Sequence, residues 1–260
     1  MLTIFVIVFI NLVGFGIIIP LLPFYGEHYG ASPDKVTALM ATYSLFQFLF
    51  APIWGYISDR VGRKPILIIS LLGTIIAYLL LAIAPNLISL FVARAIAGIM
   101  AGSISAAFAY MADITTREDR TKGMGIIGSA FGLGFIAGPA IGGFLAGGDI
   151  TNTNFQAPAY YAAGFVALAS LLSVFFLREA LPKIKRQKWQ LRFKPIQSLK
   201  AINSKLVPDI KYTLYLTFFA ISVFAALEST FAMWTERNFS WGVEQNGYIF
   251  AYSGIISAII

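Results

Sequence analysis

Gly55-Tyr56-Ile57-Ser58-Asp59-Arg60-Val61-Gly62-Arg63-Lys64-Pro65 joins two apolar runs, residues 36–57 and 66–84. Each run is long enough to cross a hydrocarbon layer of roughly 30 Å as a helix. A connection this short needs a sharp reversal, and Gly62 supplies one without a Cβ clash. Gly55 offers a small surface on which a neighbouring helix can lie close. Asp59 falls at a helix end in a low-dielectric zone, where a carboxylate needs a cation. A plain basic loop would account for Arg60, Arg63 and Lys64, but not for the spacing of the glycines and the aspartate.

The rest of the chain repeats the pattern of its flanks. Of 260 residues, 58% are hydrophobic and 12% charged, and the mean hydropathy is +0.78. That composition belongs to a polytopic membrane protein rather than to a soluble core. The apolar runs predict helices near 2–25, 36–57, 66–84, 87–112, 122–147, 158–177, 212–234 and 244–260. Backbone groups in lipid must be paired within the segment, so the fold class is an all-α membrane protein. The runs lack the alternation of barrel strands. The chain contains no cysteine, so neither disulfides nor thiol chemistry are expected. The first run begins at Leu2 without a basic leader and reads as a spanning helix rather than a cleaved signal.

The net charge of +7 is a matter of placement. Arg60, Arg63 and Lys64 lie in the second connection, and Arg117, Arg120 and Lys122 in the fourth. Ten more, from Arg178 to Lys211, lie in or beside the sixth. Sixteen of the nineteen Lys and Arg residues therefore fall on one side. Lys35 and Arg237 fall on the other, and Arg94 lies within a helix. The positive-inside rule then puts the amino terminus in the cytoplasm. The basic bias reads as a topology signal with some attraction for anionic lipid, not as a nucleic-acid footprint. Tyr25, Tyr29, Trp54, Trp234 and Trp241 suit interfacial anchors.

The stretch 55–65 resembles the motif between the second and third helices of major facilitator superfamily transporters, with Gly55, Asp59, Arg60, Gly62, Arg63 and Lys64 all in place. The resemblance implies that Asp59, Arg63 and Asp113, at the end of the fourth helix, form a charge cluster that gates one conformation. An acid near a helix C-terminus also wants a cation on simple dipole grounds. The implied architecture is a six-helix amino-terminal half over 1–177, built as two inverted three-helix repeats. A basic cytoplasmic linker follows over 178–211, and 212–260 would hold the first two helices of the second half. In the linker Trp189, Leu191, Phe193, Ile196, Leu199 and Ile202 interleave with Lys and Arg, a pattern for short helices lying on a membrane surface. The family has twelve helices, so the chain is expected to be incomplete, with a missing carboxy-terminal half needed for function.

Further residues refine the resemblance. The fifth helix carries Gly128 and Gly132, then Gly134, Gly138, Pro139, Gly142 and Gly143. Glycines four apart make a groove for close helix approach, and Pro139 invites a bend. The string is similar to the antiporter signature of proton-coupled exporters. The first helix, with Asn11, Gly14, Gly16, Pro20 and Pro23, resembles that of tetracycline-type exporters, and Asn11 and Gly14 are cavity candidates. Those exporters have acids where Asn11 and Ala77 stand here, so tetracycline–metal exchange is not implied. Arg94 matches the family's fourth-helix arginine, implicated in proton coupling; otherwise it would snorkel to an interface. Glu228 is the acid inside an apolar run of the seventh helix, suited to proton exchange or to a structural hydrogen bond. His28 is the only histidine, and metal-ligand spacing, a Walker loop and a nucleophile elbow are not seen.

These readings predict a secondary transporter that exports a small solute or drug in exchange for protons by alternating access. The resemblance has helices one, four and seven lining its cavity. An importer of a sugar or other metabolite is the alternative within the fold. A membrane-embedded enzyme or receptor is the alternative from another class, and it would need a cluster of catalytic or cofactor ligands. No enzymatic activity, cofactor or nucleic-acid partner is expected. The expected partners are a small-molecule substrate, protons and membrane lipid, and the expected location is a bacterial inner membrane.

Overall fold

The computed structural model describes residues 1–149, 153–182, 184, 186 and 207–259. Their regular structure is helical throughout. The first expected span is two helices, α1 (Leu2–Ile18) and α2 (Leu21–His28), parted at Ile19–Pro20, because a proline cannot donate to the preceding turn. The second span is α3 (Pro33–Val61) and the third α4 (Arg63–Ala82). The fourth is again divided, into α5 (Leu87–Ala101) and α6 (Ile104–Ile114), at Gly102–Ser103. The fifth is α7 (Arg120–Ala146), and Pro139 lies inside it without ending it. The sixth is α8 (Gln156–Phe176).

The seventh span is α9 (Pro208–Phe239). It starts four residues before the expected boundary at 212, because Pro208 occupies a first-turn position where its missing N–H costs nothing. The eighth is α10 (Val243–Ile259). Among the described residues seven segments are long and apolar enough to cross a membrane, and the protein is an integral, multi-pass membrane protein. The amphipathic pattern expected over 189–202 lies outside the described residues.

Local chemistry sets several helix ends. Asn86 and Ser89 form a reciprocal cap on α5, with Ser89 N donating to Asn86 Oδ1 at 2.9 Å and Asn86 N to Ser89 Oγ at 3.2 Å. Asn154 Oδ1 accepts from Gln156 N and Ala157 N at the start of α8.

The first six spans pair in a way that their sequence hides. The first packs on the fifth as the fourth packs on the second. The first packs on the sixth as the fourth packs on the third, and the third packs on the sixth. Exchanging the two three-span units maps this set onto itself, and the two broken spans, the first and the fourth, exchange places. The arrangement is that of an inverted repeat. Outside this bundle α10 lies along α7, whereas α9 touches α2 and α3 near its carboxyl end. Residues 212–227 of α9 are exposed throughout.

Some expected anchors are internal ties instead. Tyr25 is buried, stacks on Phe155 at 4.6 Å, and donates to the carbonyls of Leu81 and Ala84. Tyr29 donates to the Ala84 carbonyl at 2.6 Å. Trp54 Nε1 donates to the Ile99 carbonyl at 2.6 Å, just before the break in the fourth span. In each case an unpaired carbonyl near a helix end attracts the donor.

Candidate functional site

The connection between α3 and α4 is a charge cluster. Arg63 opens α4 and is 7% exposed. Its Nη1 reaches Asp59 Oδ1 at 2.6 Å and Ser58 Oγ at 2.6 Å, and its Nε reaches Asp113 Oδ2 at 2.9 Å. The guanidinium fork thus ties α3, α4 and α6 together through charge-assisted bonds. All three expected members of the gate meet. Two others of the motif are turned elsewhere. Arg60 lies over the Tyr56 ring at 3.4 Å and donates to the Tyr56 carbonyl, and Lys64 donates to the Val174 carbonyl of α8 at 2.7 Å.

Glu179, which the sequence reading passed over, joins the cluster from beyond α8. Its Oε1 accepts the Arg63 backbone N–H at 2.8 Å, capping α4, and also accepts Leu181 N at 3.0 Å. Its Oε2 lies 3.8 Å from an Arg186 nitrogen. This explains Gly62 twice over. Its φ of +120° disfavours any side chain, and a Cβ there would collide with the Glu179 carboxylate. Leu177 and Leu181 are buried on either side, so the segment after α8 is seated on the cluster. Only a position in space, not a spacing in sequence, links Glu179 to residue 63.

Gly55 does not have the steric role expected of it. A Cβ there would sit 3.8 Å from Ser105 Oγ, an ordinary contact. The close approach of the second and fourth spans falls to Gly98, against the Tyr43 backbone, and to Gly102, against Ala51 N and Trp54.

A cavity of about 240 Å³ opens in the middle of the bundle. Asn11 lines it, as expected, together with Gln47, Ser70, Thr74 and Tyr78. Its polar groups are neutral. Gly14 does not line it, which corrects the second cavity candidate. A Cβ on Gly14 would meet Val166 Cγ2 at 2.9 Å and the Ala162 carbonyl at 3.1 Å, so Gly14 seats α1 on α8. Ala77 is buried in the core.

Arg94 and Glu228, remote in sequence, face a second cavity of about 300 Å³. Arg94 is 4% exposed, so it does not snorkel to an interface. Its guanidinium carbon sits 4.4 Å from the Tyr43 ring centroid. Its Nε has no hydrogen-bond partner among the described residues. Tyr43, Ser44 and Phe15 border both cavities. Glu228 also borders a third, of about 340 Å³, beside Gly132 and Pro139 of α7. A cation desolvated this far is costly unless a carboxylate or water compensates it.

The glycines of α7 serve two neighbours. Cβ atoms on Gly134 and Gly138 would stand 2.6 Å from Leu12 Cβ and 2.5 Å from Gly16 Cα, and one on Gly142 would collide with the Ile17 carbonyl. Gly143 faces the other way, onto Val243 and Glu244, and Gly247 of α10 rests on the Pro139 carbonyl. A glycine of the eighth span thereby lets α10 lie directly on the backbone of the Pro139 turn. Gly128 and Gly132, expected to form a groove, have open space around them. His28 meets Tyr29 edge-on and Phe155 at a tilt, at the opposite end from Arg63.

Known proteins share this sequence and fold. The chain is 34% identical to the class E tetracycline resistance protein of Escherichia coli over 260 residues, which are 98% of this chain and 62% of that protein. It is 29% identical to multidrug resistance protein 2 of Bacillus subtilis (strain 168), over 99% of this chain and 64% of that one. The chain thus spans a little over three-fifths of the length of these curated relatives. The crystal structure of the human organic anion transporter MFSD10 (TETRAN) matches the fold with a TM-score of 0.73 at 24% identity, over 97% of this chain and 68% of that one. The sequence profile described as Major Facilitator Superfamily matches residues 4–260. The chain belongs to the major facilitator superfamily.

Proposed function

We propose that this chain forms the greater part of a proton-coupled exporter of small amphipathic solutes, working by alternating access in a bacterial inner membrane. The amino terminus and the Asp59–Arg63–Asp113 cluster face the cytoplasm in this reading, because Lys and Arg gather at that end. Six spans form one rocking body, and α9 and α10 begin the other. The observation that carries the proposal is the shared cavity of Arg94 and Glu228. A carboxylate that can trade its proton against a desolvated arginine, next to a neutral polar cavity, is what exchange of a proton for an uncharged or weakly polar solute requires. The tetracycline and multidrug resistance relatives support export over uptake. Asn11 gives the central cavity a neutral amide, and neither Asn11 nor Ala77 supplies the acids of tetracycline–metal exchange, so amphipathic drugs are the favoured cargo.

Flux measured in proteoliposomes tests this, with a polypeptide that extends these 260 residues to the span of the relatives. An imposed pH gradient should drive uptake of a lipophilic dye into inverted vesicles. Glu228→Gln should abolish the response to the gradient while dye binding stays within about threefold. Equal loss of binding and flux would assign Glu228 to packing or substrate contact. The same 260 residues alone should carry little flux, since alternating access needs two bodies.

A further inference from the structure

The end of the bundle opposite Arg63 holds a second set of charges that the transport reading leaves unused. An Arg237 nitrogen, near the end of α9, reaches Glu27 Oε1 of α2 at 3.1 Å. Glu236, one residue earlier, brings its carboxyl group into hydrogen-bond contact with that of Glu27. Both carboxyl groups border a cavity of about 750 Å³, with His28, Asn154 and Gln156 around it. Directly beneath, Met233 packs on Ala31 and Val36, with Leu87 alongside. These contacts are where α9 meets the six-span bundle, since residues 212–227 are exposed.

Two carboxylates cannot share a hydrogen bond without a proton between them, and one arginine does not neutralise both. With the proton, the group is a neutral acid, a carboxylate and a guanidinium, and its attractions are all satisfied. Without it, one negative charge is in excess and the carboxylates repel. Other titratable or charged groups at this end include Tyr25, His28 and Tyr29 from the first span, Asp34 and Lys35 at the start of α3, Asp149 and Tyr160 around the connection from α7 to α8, and Glu244 at the start of α10. Tyr25 and Tyr29 are engaged with the Ala84 carbonyl. His28 is the one imidazole among them.

We propose that Glu27, Glu236 and Arg237 form a proton-dependent outer latch, which holds the first and seventh spans together when a proton is shared and releases them when it is lost. The latch rests on the outward placement of this end given above. Protons arriving from outside would then close the outer side, the direction that proton exchange requires.

The chain has no cysteine, so a spin-label pair can be placed cleanly. With Ser32→Cys and Asn238→Cys labelled in the purified chain in nanodiscs, pulsed electron resonance reads the gap without any flux. The short-distance population should rise severalfold from about pH 8 to about pH 5. Glu236→Gln should keep it high at both pH values, and Arg237→Ala should lower it at both. His28→Gln should leave the pH response intact. A distance distribution insensitive to pH, a response lost with His28→Gln, or a short population unchanged by Arg237→Ala would each overturn the latch. None of these outcomes depends on whether the protein exports anything.

Discussion

At the residue scale, the α3–α4 connection shows how one motif assigns different duties to similar side chains. Arg63 is buried and forked between Asp59 and Asp113, whereas Arg60 and Lys64, a few residues away, make local or backbone contacts. Asp59 and Asp113 remain 34% and 28% exposed, so water screens part of the attraction. Gly55 and Gly62 were equally prominent in the sequence, yet only Gly62 is sterically required here. Gly62→Ala should lower stability by about 1–2 kcal/mol through its positive φ, and further by pushing Glu179 away from the Arg63 N–H. Gly55→Ala should change it by less than about 0.5 kcal/mol. Thermal melts of the detergent-purified chain check both, and equal effects would show that Glu179 does not rest on residue 62.

At the scale of elements, α7 is the most revealing. Its glycine string is legible in sequence as a surface for close approach, but which neighbour each glycine admits is not. Gly134, Gly138 and Gly142 admit α1, and Gly143 admits α10. Helix association in lipid has no hydrophobic drive and depends on such contact. Gly138→Val should therefore separate α7 from α1 and cost about 2 kcal/mol or more by overpacking. Gly128→Ala and Gly132→Ala should be tolerated, since open space receives the added methyl. Melting or partial proteolysis of the three variants distinguishes them, and a well-folded Gly138→Val chain would contradict the packing described. The break in the first span was foreshadowed by Pro20. The break in the fourth, at Gly102–Ser103, was not, because glycine marks bends and close approaches alike.

For the whole molecule, the charge distribution makes the strongest prediction. A single cysteine replacing Glu118, exposed between α6 and α7, should react with a membrane-impermeant maleimide only from the cytoplasmic side. One replacing Ser32, exposed before α3, should react only from outside. The reverse pattern would invert the orientation proposed here and with it the sense of the outer latch. The first six spans pair with one another, whereas residues 212–227 of α9 are exposed.

The sequence by itself determined that the chain is a bundle of membrane-crossing helices, roughly where each lies, and which connection holds the Asp59–Arg63–Asp113 charge cluster. Those conclusions follow from local rules. Lipid demands apolar runs of a set length, backbone pairing makes them helical, and basic residues stay with their loops. Tertiary structure alone decided which side chains share a cavity. Arg94 and Glu228 are 134 residues apart, Glu179 reaches Arg63 from beyond the sixth span, and Glu27 meets Arg237 across most of the chain. It also turned Gly14 from a cavity residue into a packing residue and Tyr25 from an anchor into a buried tie. Each of these depends on how a helix is rotated about its axis. In an apolar helix that rotation is set by neighbouring helices and not by any polar face of its own.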